Sequence, residues 1–221
     1  MMKFYIVTAC PEAFPGVLGT SLIGKALNKI WTYELIDLHD FGIGKHKKID
    51  DAPYGGGPGL VLRADVVGAA IDSVLTRTNI DAGYYMSPKG ILMNQFIVKA
   101  IVSQENILLV CGRFEGIDER IVKRYNLIEI SIGEYVLSNG DLAAAVLMDS
   151  VIRLLPCVIG NQKSYQEESF YEDYSHDYSV YTRPEIYHGI SIPPVLKSGN
   201  HKMIKKWRQE SKIQKLTNIQ I

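Results

Sequence analysis

Apolar positions change their spacing repeatedly along the first 150 residues of the chain. "FYIVTA", from Phe4, is a short continuous apolar run of the kind that fills a buried strand. Leu18, Leu22, Ile23, Ala26, Leu27 and Ile30 then recur at the three- and four-residue steps of a helix face. "TYELIDL" restores extended character, and a polar loop follows from about His39 to Gly59. Val66, Val67, Ala70, Ile71, Val74 and Leu75 predict a second helix. Beyond it come a strand at "GYYM", a helix over Phe96–Ile101, a strand at "NILLV", a short helix near Asp118–Tyr125 and a strand at "LIEISI". The run "DLAAAVLMDSVIRLL" after Gly140 predicts a further helix, and Asp149 and Arg153 interrupt it too often for a membrane span. Strands alternating with helices predict an α/β fold: a mostly parallel sheet with helices on both faces.

Near residue 160 the pattern stops. "GNQKSYQEESFYEDYSHDYSVYTRPEIYHG" is polar, rich in Tyr and without a period, and reads as a linker. A tail helix follows, with Asn200 as its N-cap and Met203, Ile204 and Trp207 as an apolar stripe. The expected division is a body over 1–160, a linker over 161–178 and a small helical domain over 179–221.

Composition changes this picture little, and charge changes it more. The chain has 221 residues, 47% hydrophobic and 22% charged, the balance of an ordinary globular protein. Cys10, Cys111 and Cys157 are far apart and odd in number, so a disulfide framework or zinc site is not expected and a reducing, cytoplasmic setting is. The N-terminus reads as a strand, not a signal peptide. Net charge is zero, yet residues 197–221 carry seven Lys/Arg against Glu210 alone, while residues 161–196 carry six acids against Lys163 and Arg183. A basic tail suits an anionic partner, nucleic acid foremost; a solvated helix face gives the same pattern.

Candidate chemistry lies in three glycine-bearing loops after three strands: "SPKG" (Ser87–Gly90), "CGRFEG" (Cys111–Gly116) and "IGEYVLSNG" (Ile132–Gly140). In an open parallel sheet such loops emerge together at the carboxyl edge, where ligands bind, although a glycine after a strand often serves only a turn. Neither dinucleotide nor phosphate-loop fingerprints are present. Glu115, Glu134 and Asp141 would repel a phosphate, so a neutral or cationic ligand fits better. S-adenosylmethionine, with its positive sulfonium, is such a ligand.

"DDAPYGGGPGLVL", "LLVCGRFEGIDERIV", "EISIGEYVLSNGDLAAAVLMDSVIRLLPCVIGN" and "YTRPE…PPVLKSGNHKMIKKWR" together resemble the bacterial tRNA (guanine-N1)-methyltransferase family of the SPOUT superfamily, from about Phe4 to Arg208. The resemblance implies a C-terminal trefoil knot in the first domain, which sequence rules alone disfavour. It also implies a homodimer with each active site shared between subunits, and the anticodon stem-loop of tRNA as substrate, with neither DNA nor membrane as partner. By position it implies a cofactor site of Tyr85, Met86, Ser87, Pro88, Gly112, Glu115, Ile132, Gly133, Glu134, Tyr135, Val136, Leu137 and Gly140. Contacts to tRNA would come from Lys47, Lys48, Asp50, Gly57 and Gly59, and from Asn200, His201, Lys205, Lys206 and Arg208 in the tail. A requirement for Mg²⁺ is implied as well, at no identifiable site.

N1 of guanine carries a proton, so its methylation needs a positioned base. The family places an Asp where "EESF" puts Glu168, one methylene longer; Glu168 is the expected base, with Glu167 as its fallback. Arg153 matches the arginine expected to stabilise charge developing on O6. Ala143 stands where the resemblance leads one to expect Pro, and Asn139 where it leads one to expect Gly. Two rivals remain at this stage, a nucleotide-dependent oxidoreductase and a non-catalytic RNA-binding scaffold.

Overall fold

The computed structural model describes residues 1–159 and 178–216, with side chains to Ser211. The chain separates into two compact units, Met1–Gly160 and Asn161–Ile221, and each is taken by itself.

In the first unit, β1 (Met2–Thr8), β2 (Trp31–Asp37), β5 (Ala82–Leu92), β6 (Asn106–Cys111) and β7 (Ile128–Ser131) form one sheet in the order β2-β1-β6-β5-β7. Every pairing within it is parallel. A two-residue hairpin of β3 (Asp50–Asp51) and β4 (Val61–Leu62) stands apart. The helices are α1 (Ser21–Ala26), α2 (Ala64–Leu75), α3 (Gln95–Val102), α4 (Glu119–Arg124) and α5 (Asp141–Ile152). Successive strand residues point to opposite faces, and the core divides accordingly. Tyr5, Val7, Leu108 and Val110 pack with Val67, Ile71 and Val74 of α2 and Ile121 of α4. Phe4, Ile6, Ile107 and Leu109, equally buried, turn to the other face, where α5 packs on β5, β6 and α3. The α/β expectation therefore holds.

Three local expectations are corrected. The helix expected over Leu18–Ile30 shrinks to α1, preceded by a 3₁₀ turn over Gly16–Gly19. Asn28 then adopts a left-handed φ of 61°, which stops any continuation. "SPKG" is not a loop after a strand but a bulge inside β5: Met86 and Ile91 both pair with Ile130, and the four residues between stand out of the ladder. The second unit, expected to be helical, also contains a hairpin of β8 (Ile186–Tyr187) and β9 (Ile190–Ser191), turned by His188 and Gly189 at positive φ.

That second unit ends in a helix over His201–Leu216. Asn200 caps it as expected, its Oδ1 accepting from the N–H groups of Lys202 and Met203, each at 3.2 Å. Trp207 packs against Tyr181 at a ring separation of 6.1 Å, and the Arg208 guanidinium lies 4.7 Å from the Tyr178 ring.

Candidate active site

The bulge of β5 and the loops after β6 and β7 enclose a cleft of about 340 Å³, a volume suited to a nucleoside-sized ligand. All expected cofactor positions line it except Glu134, which sits exposed at the loop tip between Gly133 and Tyr135. Backbone makes most of this wall. Tyr85 is buried with its ring beneath the Gly112–Gly116 turn, so a Cβ at Gly112 would lie 2.9 Å from that ring. Gly140 donates its N–H to the Gly112 carbonyl at 2.8 Å, and a Cβ there would come within 2.8 Å of the Gly112 nitrogen. Only glycine lets the two loops close to this distance.

The charge of the cleft differs from the expectation. Lys89 and Arg113 join Glu115, Glu119 and Glu129 in the lining, so cations are present beside the acids. Lys89 reaches the cleft because the β5 bulge carries it there. Arg113 turns toward β1 and donates to the Cys10 sulfur at 3.2 Å.

Asp141 also departs from its expected place. Instead of facing a ligand it is 5% exposed beneath the cleft, and its Oδ1 accepts from the Thr8 hydroxyl at 2.6 Å. The Thr8 oxygen in turn accepts the Cys10 N–H at 2.8 Å. Burial pushes the Asp141 carboxyl above its ordinary range, against donors from Thr8 and Cys111. Burial also pushes the Cys111 thiol well up, and the adjacent Asp141 charge adds to this. Local sequence could not locate this site, because Thr8 is 133 residues away along the chain.

The "GGGPG" loop lies between β3 and β4 and touches the cleft wall. Glu115 donates its N–H to the Leu60 carbonyl at 3.0 Å, and Leu62 donates to Gly116 at 3.0 Å. Gly57 and Gly59 have φ of 125° and 81°. Lys48 pairs with Asp51 at 2.9 Å and Lys47 with Asp40 at 3.6 Å. These are exposed pairs that phosphate can replace at little cost. Asp50 lies in β3 opposite Leu62.

Arg153 caps the far end of α5. The helix has 12 residues between its caps Gly140 and Arg153, so Arg153 stands about 20 Å along its axis from Gly140 at 1.5 Å per residue, beyond side-chain reach. Glu167 and Glu168 lie outside the described residues. In the second unit His201, Lys205, Lys206 and Arg208 are exposed on one helix. Lys206 lies 3.8 Å from Glu210, and Asn200 has committed its carbonyl oxygen to the cap. Among the described residues no group of three His, Cys, Asp or Glu could hold a metal ion, and no helix is long and apolar enough to cross a membrane.

Comparison with known proteins agrees with this arrangement. The family model described as tRNA (Guanine-1)-methyltransferase TrmD matches residues 2–220. The chain is 50% identical over 206 residues to a tRNA (guanine-N(1)-)-methyltransferase of Ehrlichia ruminantium (strain Gardel), covering 93% of this chain and 88% of the relative. It is 48% identical over 210 residues to the protein of that name from Rickettsia africae (strain ESF-5), covering 93% and 90%. To that of Rickettsia prowazekii (strain Madrid E) it is 45% identical over 210 residues, with the same coverage. With a parallel sheet, a cleft at its carboxyl edge and a match along nearly its whole length, the chain belongs to the tRNA (guanine-1)-methyltransferase family.

Proposed function

We propose that this chain methylates N1 of guanosine 37 of tRNA, the guanosine 3′ of the anticodon, using S-adenosylmethionine. The observation that carries the reading is a nucleoside-sized cleft walled by backbone, at the edge where an α/β sheet binds its ligand, in a chain of this family.

The cleft fits an adenosine. Close approach of Gly112 and Gly140 leaves backbone groups of both loops at the surface, and Met86, Ile132, Tyr135 and Leu137 supply apolar walls. Glu115 stands at the rim as a carboxylate acceptor for a ribose hydroxyl or a partner for positive charge. When bound, S-adenosylmethionine supplies an electrophilic methyl group on a positive sulfur. Glu168 would take the N1 proton and so leave a nitrogen lone pair able to attack an electrophilic methyl carbon. Arg153 would stabilise the charge that builds on O6. No step runs through Mg²⁺.

Arg153 is too far along α5 to serve its own cleft, and this supports a homodimer in which each cleft is completed by the partner. The outer face of α5 supports it too. Leu142 and Val146, four residues apart, are 60% and 42% exposed beside the exposed Asp149, while most of the helix is buried, and such bare apolar side chains call for cover. Residues 1–160 form the cofactor-binding body in this reading, 161–178 the linker bearing the base, and 179–221 the tRNA-binding domain in a cytoplasmic enzyme.

A single-turnover reaction with labelled cofactor and unmodified tRNA tests the proposal. Label should appear as 1-methylguanosine next to the anticodon. Unlabelled tRNA from a protein that still binds the cofactor in calorimetry refutes the activity.

A further inference from the structure

Asp141 takes no part in the chemistry above, yet it is a carboxyl buried at the first residue of α5, directly after the loop that lines the cleft. Burying such a group is costly unless its bonds fix something in place. Its bonds run to two strand ends. Thr8, fully buried, closes β1 and donates to Oδ1 at 2.6 Å, while Cys111, also buried, closes β6 beside it. β1 and β6 are neighbours in the sheet. The two residues before Asp141 are stitched to the loop after β6: Gly140 donates to the Gly112 carbonyl at 2.8 Å, and Asn139 pairs with Arg113 in an isolated bridge. Asn139 Oδ1 also accepts the Asp141 N–H at 3.2 Å. Gly112, Asn139 and Gly140 line the cleft, and Asp141 does not.

We propose that Asp141 is a positioning residue for methyl transfer: by locking the start of α5 to the ends of β1 and β6 it holds the Ser138–Gly140 wall at the spacing the adenosine requires. Apolar packing would let this wall slide, whereas a short buried hydrogen bond is directional and fixes it. The inference rests on the S-adenosylmethionine reading of the cleft.

The test uses the full-length enzyme, with cofactor affinity measured by calorimetry and the KM for tRNA measured beside it. Asp141→Leu, of similar size, should weaken S-adenosylmethionine binding by about tenfold or more, the scale of a lost buried bond to a charged group, with the KM for tRNA unchanged. Thr8→Val removes the same bond from the other side with little change of shape, along with the bond from the Cys10 N–H, and should do likewise. Asp141→Asn keeps an oxygen for Thr8 and should restore most of the affinity. A merely structural Asp141 would lower the melting temperature and leave the affinity of the folded fraction alone. If Asp141→Leu does not fold, Thr8→Val decides. Cofactor affinity within about twofold of the parent enzyme in Thr8→Val, or in folded Asp141→Leu, overturns the inference. Absence of cofactor binding in the parent enzyme overturns the cofactor reading, and the inference falls with it.

Discussion

The two units of this chain present surfaces of opposite kinds. The cleft of the first is walled by main chain, with glycines pressed together and an aromatic ring below, so its selectivity comes from shape and spacing. The described part of the second exposes a helix with His201, Lys205, Lys206 and Arg208 on its surface, so the attraction proposed for it would come from charge. A shape-built site should be brittle, losing function to a single methyl group and indifferent to salt. A charge-built site should degrade in steps and weaken steadily as salt rises. Experiments that separate those behaviours test the assignment of each unit.

The largest expected effect is at the proposed base, Glu168. Glu168→Gln should lower the single-turnover rate by about two to four orders of magnitude while cofactor affinity stays constant; full turnover would remove Glu168 from the mechanism. Arg153→Ala should lower the rate by about two to three orders. Mixing it with a cofactor-deficient variant should recover activity in the mixed dimers, and no recovery would place Arg153 and the cofactor on the same subunit. Gly140→Ala brings a Cβ within 2.8 Å of the Gly112 nitrogen. It should weaken cofactor binding by about tenfold or more and leave the affinity for tRNA intact; equal loss of both would contradict a shape-built cleft separate from the tail. Replacing Lys205 and Lys206 with Ala should weaken tRNA binding and shallow its dependence on log salt by about one unit per lysine, with cofactor binding unmoved.

The smallest effect concerns pH. The folded Asp141 carboxyl is raised by burial, so it favours the folded state in its protonated form. That contribution is present below the ordinary carboxylate range and is lost as pH rises through the raised value. Melting temperatures should therefore show a decline over that window which Asp141→Asn lacks. Identical pH profiles for the two proteins would mean that the carboxyl titrates in the fold as it does in the open chain.

Legibility in the sequence followed the range of the forces involved. β1, α2, α3, β6 and α5 were readable because each is set by its own apolar period, and Asn200 was readable because a cap bonds residues two and three positions ahead. The cleft was readable as three loops at one edge because parallel topology forces that convergence. The bulge at Ser87–Gly90 was not, since only pairing with Ile130 reveals that β5 resumes after it. Lys89 and Arg113 lie within the loops the sequence singles out, yet the reading weighed the acids there and not these cations. Asp141 was misplaced because its acidity was visible and its partner in β1 was not. The roles themselves came from the family resemblance, not from any period or spacing.

The junction between Gly59 and Glu115 carries one more consequence. The loop assigned to RNA and the loop assigned to the cofactor are joined through the Leu60 carbonyl, and a Cβ at Gly59 would strike the Glu115 side chain at 2.6 Å. The two substrates would thus meet across a common partition before any chemistry begins. Whatever factor nucleic acid imposes on nucleoside affinity must then be returned in equal measure, whichever arrives first.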